Sequence, residues 1–214
     1  MQTKVVSYPP DVFQSYEQLD EIVIQCLPAT ERFIIIAESF SGPIALQLAR
    51  RSLNNLAGVV LVSSFAYRPL GRMGPFLARL PFSFILRVPL WSFMLRGFLL
   101  GIDASDKDVQ NVREVISQVP RHVLAGRLRE ALTSEHGRGK VGGGVQVVTV
   151  FAAQDRLLGR AARRSILEVC PDAVVETVSA PHLALQATPM AVLSVLKTHL
   201  PCLGQAEPED GVKR

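Results

Sequence analysis

Cysteine is scarce in this sequence, and its three copies, Cys26, Cys170 and Cys202, are widely separated and odd in number. That excludes a disulfide framework, implies no structural zinc site, and suits reduced thiols in the cytoplasm. Clustered positive charge is lacking too. The formal net charge of +4 comes from scattered arginines, without the basic stripe that a nucleic-acid-binding face requires, so no nucleic-acid partner is expected. The opening MQTKVVSYPP has no long apolar run with a small-residue cleavage site, so no secretory signal is read there. An uninterrupted membrane-length apolar run is also missing. The nearest, Pro81 to Leu100, is broken by Arg87, Pro89 and Arg96, and central arginines are costly in lipid, which argues against a transmembrane span.

What is present is a 48% hydrophobic chain of 214 residues, enough to bury one core with an insertion. The patterning alternates strands with helices. A strand over Lys4 to Ser7 is ended by Pro9 and Pro10, and a helix with apolar positions Leu19, Ile22, Val23 and Cys26 is closed by Pro28. The run FIIIA at Phe33 to Ala37 reads as a strand buried on both faces, leading into a helix with Pro43 in its first turn. Further strands are expected at Gly58 to Val62, Val145 to Phe151 and Ala173 to Val178, with helices at Ala161 to Val169 and Pro189 to Leu200. This is an α/β pattern: a doubly wound, mostly parallel sheet with helices on both faces.

About eighty residues interrupt the alternation, too many for an ordinary connection. The expected organisation is a core at 1–65 and 141–202, a helical cap at 66–140, and a disordered tail at 203–214. The apolar stretch Pro75 to Leu100 is expected to form the underside of the cap. The glycine-rich Gly137 to Gly144 precedes a strand and lacks the Gly-Lys-Ser/Thr ending, so it is a flexible return to the core rather than a phosphate loop.

A hydroxyl becomes a nucleophile only when a base takes its proton and a carboxylate orients that base. Ser39 lies at the turn between the FIIIA strand and the next helix, with small residues, Ala37 and Ser41, two positions before and after it. The segment FIIIAESFSGPIALQLA resembles the nucleophile elbow of the α/β-hydrolase superfamily, with Ala and Ser in place of the two usual glycines. The superfamily's chain order is nucleophile, acid, base. The resemblance therefore implies Asp155, in AAQDRLL after a strand, as the acid, and His182, in SAPHLALQATP after the last strand, as the base. The backbone N–H of Phe40 would be one oxyanion donor. Taken singly, Ser39 could be a helix cap, Asp155 a turn carboxylate paired with Arg156, and His182 a structural histidine.

The implied activity is serine-hydrolase chemistry, carboxylic ester hydrolysis by default, on a small hydrophobic ester or acyl substrate and with no metal or organic cofactor. Amide, thioester, acyl-transfer and C–C bond chemistry would use the same triad. The second oxyanion donor of the superfamily comes from an earlier loop. With Lys4 to Ser7 as the strand before the elbow unit, that loop and the first strands are expected upstream of Met1, in an N-terminally truncated form of the fold. The competing class is a catalytically impaired module that binds an apolar ligand. A peripheral membrane surface built from Phe82, Phe84, Trp91, Phe93 and Phe98 is a third reading, set against a core-facing cap as the account of those aromatics.

Overall fold

A computed structural model of the chain describes residues 2–87, 92–142 and 144–205, the side chains of 201–205 excepted. Helix α1, Tyr16–Cys26, starts at a capping box. Ser15 Oγ accepts the Gln18 N–H, and the Gln18 side chain accepts the Ser15 N–H in return, which satisfies donors a helix start would otherwise leave unpaired. Strand β1, Phe33–Glu38, is followed by a 3-10 turn over Ser39–Ser41 and by α2, Gly42–Arg50, whose Pro43 stands in the first turn. The later core elements are β2, Leu56–Val62, and, beyond the insertion described below, a third and a fourth strand with their helices.

The insertion carries three one-turn helices, α3 (Gly74–Leu77), α4 (Phe82–Ile85) and α5 (Ser92–Leu95), then a π-helical turn over Arg96–Leu100. Two longer helices follow, α6 (Asp106–Ser117) and α7 (Arg121–Thr133). After it come β3, Gln146–Ala152; α8, Arg160–Val169; β4, Val174–Val178; the short α9, Ala184–Ala187; and α10, Pro189–Gln205.

The four strands form one parallel sheet in the order β1-β2-β3-β4, with Glu38 beside Val62, Val62 beside Val150, and Ala152 beside Val178. Parallel pairing in this register brings all four carboxyl-terminal strand ends to one side, where the connecting loops meet. Helices cover both faces. On one, Leu46 and Ala49 of α2 and Ile166 and Val169 of α8 pack on Val59, Leu61 and Val147. On the other, Val192 and Leu196 of α10 pack on Val60, Val62, Val148 and Val150. Helix α1 lies outside α2, through Tyr16, Leu19 and Val23 against Ile44 and Leu48.

Several expectations need correction. Residues 2–9 contain no strand: Val5 is 82% exposed, and a two-valine run without a neighbouring strand has nothing to pair with. The fully buried strand is β2, whereas β1 lies at the sheet edge, so Ala37 alone in it is buried and Ile36 is exposed. Helix α10 continues to Gln205 instead of ending at Leu200, and so takes in the first three residues of the expected tail; residues 206–214 lie outside the described residues.

Most of the described aromatics expected on the insertion's underside are not there, Phe82 alone among them being half-buried, under Arg129. Phe76, Phe84, Phe93 and Phe98 are exposed, while the aliphatic Leu95, Leu100 and Val109 form its buried cluster. One-turn helices offer too little length to turn every large side chain inward. Trp91 lies outside the described residues. No described helix is long and apolar enough to cross a membrane.

The return to the core is pinned. Arg50 donates to the carbonyls of His136, Gly137 and Gly139, at 2.6, 2.9 and 3.4 Å. A Cβ at Gly137 would stand 2.0 Å from the Ala66 carbonyl oxygen, so glycine is required there by close approach. His136 stacks on Tyr16 and bonds Asp20 at 3.0 Å and Glu17 at 3.2 Å. Burial opposes its protonation, but the hydrogen bonds and charges of Asp20 and Glu17 outweigh that and hold the imidazole above its ordinary pKa.

Candidate active site

Ser39 follows directly on β1 and takes a φ of +50°, a left-handed conformation that residues with a Cβ seldom adopt. Such strain persists only where neighbours enforce it. Ser64, just past β2, donates from its Oγ to the Ser39 carbonyl at 2.7 Å. At Gly42 an added Cβ would meet Ser64 Oγ at 1.9 Å and the Phe65 carbonyl oxygen at 2.8 Å, so the turn is pressed against the end of β2. On its outer side Tyr8 donates to Ser41 Oγ at 2.9 Å, and the Phe40 ring stacks on Tyr16 with centroids 4.7 Å apart.

Asp155 lies in the turn after β3. Its Oδ1 accepts the N–H groups of Leu157 and Leu158, both at 2.8 Å, and its Oδ2 faces His182 Nδ1 at 2.8 Å. The backbone bonds fix the carboxylate so that one oxygen points at the imidazole; no pairing with Arg156 is involved. His182, in the loop after β4, is buried, with Nε2 2.8 Å from Ser39 Oγ. A proton on Nδ1 directed at the carboxylate leaves Nε2 as acceptor for the serine O–H. The three side chains singled out in the sequence therefore form one hydrogen-bonded line, drawn from three strand ends up to 143 positions apart in the chain. Ser39 is partly exposed at its open end.

Solved structures similar to this one include hydrolases. A thermophilic esterase from Thermogutta terrifontis superposes with a TM-score of 0.65 at 15% identity, over 90% of this chain and 74% of its own. A hydrolase from Pseudomonas aeruginosa PA01 gives 0.66 at 18%, over 91% and 74%. A point mutant of an epoxide hydrolase from Bacillus megaterium gives 0.65 at 14%, over 90% and 76%. The chain has the α/β-hydrolase fold. No protein-family model matches the sequence, and no curated protein matches it.

Within the α/β-hydrolase fold of this chain, three supporting residues escaped the sequence reading. Ser64 holds the elbow carbonyl, and nothing local marks it. Glu38 precedes Ser39, and its Oε1 accepts the Leu185 N–H at 3.0 Å, joining the end of β1 to the segment that carries His182. Burial raises the Glu38 carboxyl above its ordinary pKa, against the lowering effect of the Leu185 N–H, the Gln186 side chain and His182. Leu99, in the insertion, accepts the Leu183 N–H at 2.8 Å, so the insertion is bonded to the same loop. A cavity of about 560 Å³ lies there, lined by residues 96–98 and 100–105 of the insertion and by Gln154, Arg156 and Pro181, neighbours of Asp155 and His182.

Proposed function

We propose that the chain is a serine hydrolase with Ser39 as nucleophile, His182 as general base and then acid, and Asp155 as the group that orients and stabilises the imidazole. The observation that carries this reading is the pair of 2.8 Å contacts, Ser39 Oγ to His182 Nε2 and His182 Nδ1 to Asp155 Oδ2. His182 accepts the serine proton as Oγ bonds the substrate carbonyl carbon. It then delivers that proton to the leaving alcohol, giving an acyl-serine. Water, deprotonated by the same imidazole, attacks the acyl carbon and releases the carboxylic acid and free Ser39. The Phe40 N–H is one donor to the tetrahedral oxyanion. The substrate class is a small hydrophobic carboxylic ester.

Residues 66–140 act as a cap over the site, with the 560 Å³ cavity at its junction with the loops of Asp155 and His182. The deciding test is labelling by a fluorophosphonate probe: the wild-type chain is labelled, and Ser39→Ala is not. A folded wild-type chain that resists the probe, or a Ser39→Ala variant that still takes it, removes Ser39 from the role.

A further inference from the structure

From Ala66 to Ile102 the chain has no aspartate, glutamate or lysine; the charged residues there are Arg68, Arg72, Arg79, Arg87 and Arg96. Arg68 pairs with Glu135, and Arg96 with Asp106. Arg72 and Arg79 are exposed, and their guanidinium groups make no hydrogen bond or ion pair among the described residues. Arg87, also exposed, stands over the Phe84 ring, 5.6 Å from its centroid.

Helices α3 and α4 both pack on α7. Their inner side is fixed there. A Cβ at Gly74 would meet the Leu132 carbonyl oxygen at 2.3 Å, and Arg129 donates to the carbonyls of Ala78 at 3.3 Å and Leu80 at 3.4 Å. What this layer leaves to solvent is Met73, Phe76, Leu80, Phe84 and Ile85, with Phe76 63% and Phe84 65% exposed. Large apolar side chains exposed together on one layer mark an interaction surface. The acids in and just after α7 are engaged elsewhere: Glu130, the one acid of α7, accepts the Tyr16 N–H at 3.1 Å, and Glu135 is held by Arg68 and Arg138.

We propose that the α3–α4 face docks on the surface of an anionic lipid bilayer. Met73, Phe76, Leu80, Phe84 and Ile85 enter the boundary between headgroups and acyl chains, and Arg72, Arg79 and Arg87 stay at headgroup level against the lipid phosphates. Charge decides the occupant. A second copy of the chain laid face to face would set these arginines against their own counterparts, whereas an anionic bilayer supplies the opposite sign across the whole face. One-turn helices cannot span the bilayer, so the contact is interfacial. Docking does not depend on the role given to Ser39, and its test uses no catalytic readout.

The test is co-sedimentation of the full chain in about 0.1 M sodium chloride with vesicles of phosphatidylcholine, alone or with about 30% phosphatidylglycerol. The chain should sediment with the anionic vesicles far more than with the neutral ones, and added salt should weaken the binding. An arginine near such a surface raises partitioning about fivefold, so Arg72→Gln/Arg79→Gln/Arg87→Gln should lower it about a hundredfold. Phe76→Ser/Phe84→Ser should lower it about tenfold or more, and Arg160→Gln, an exposed arginine outside the face, should leave it within about twofold. All the substituted side chains are exposed, so the variants should fold; melting curves check this. No binding to anionic vesicles by the folded wild type, or binding that both face variants leave intact, overturns the proposal. A dimer that Phe76→Ser/Phe84→Ser dissolves, without vesicle binding, gives the face to a second copy and overturns it too.

Discussion

Replacing Gly42 by alanine tests whether the elbow is pressed onto the end of β2. The new Cβ would overlap Ser64 Oγ at 1.9 Å and crowd the Phe65 carbonyl oxygen at 2.8 Å. Ser64 must then rotate away, losing its 2.7 Å bond to the Ser39 carbonyl, a loss of about 0.5–1.5 kcal/mol. Overpacking against backbone that cannot move freely costs about 1–3 kcal/mol more. Gly42 opens a helix, so alanine returns up to about 1 kcal/mol of helix propensity. The net expectation is a destabilisation of about 0.5–4.5 kcal/mol, read as a lower urea midpoint, with slower fluorophosphonate labelling because Ser39 loses its anchor. In Gly42→Ala/Ser64→Ala the hydroxyl overlap is gone but the Phe65 contact remains, so the double variant should be less damaged than the sum of the two singles. An alanine variant as stable as wild type and labelled as fast would refute the close-approach argument.

Asp155→Asn should lower turnover by about 10⁴-fold, less than Ser39→Ala, because the amide turns its N–H₂ toward His182 and favours the wrong tautomer; pre-steady-state acylation kinetics would show it, and a near-wild-type rate would exclude the carboxylate's role. His136 carries a raised pKa, so its contribution to stability is complete below the unfolded value of 6.5 and fades as pH climbs through the higher folded value. The gap in unfolding free energy between wild type and His136→Gln should shrink across that range, and a gap that ignores pH would count against the charged pairing with Asp20 and Glu17. Burial pushes the Cys170 thiol up to about 12, so iodoacetamide near pH 8 should leave it unmodified in the native chain and alkylate it in urea, by peptide mass.

The elements that form locally were readable in advance. Apolar runs marked β1 and β2, β-branched segments marked β3 and β4, and helical spacing with Pro28 and Pro43 marked the limits of α1 and α2. The strand–turn–helix setting of Ser39, with loops after strands carrying Asp155 and His182, followed from the same alternation. A parallel sheet must bring its carboxyl ends together, so three residues at strand ends could be expected to meet.

Burial depended on neighbours that no local pattern names. FIIIA is as apolar as LAGVVLV, yet one is the sheet edge and the other its middle, because strand order is a long-range pairing. Phe76, Phe84 and Phe93 of the insertion went outward for a similar reason, since a one-turn helix has no apolar period to read. The sequence by itself determined the alternation of elements and the residues able to do chemistry, through propensity and period. Only the tertiary structure decided that Ser64 anchors Ser39, that Glu38 holds the His182 segment, and that Arg50 pins the return. Each of those rests on a close approach between residues distant in the chain, and close approach leaves no periodic trace in the sequence.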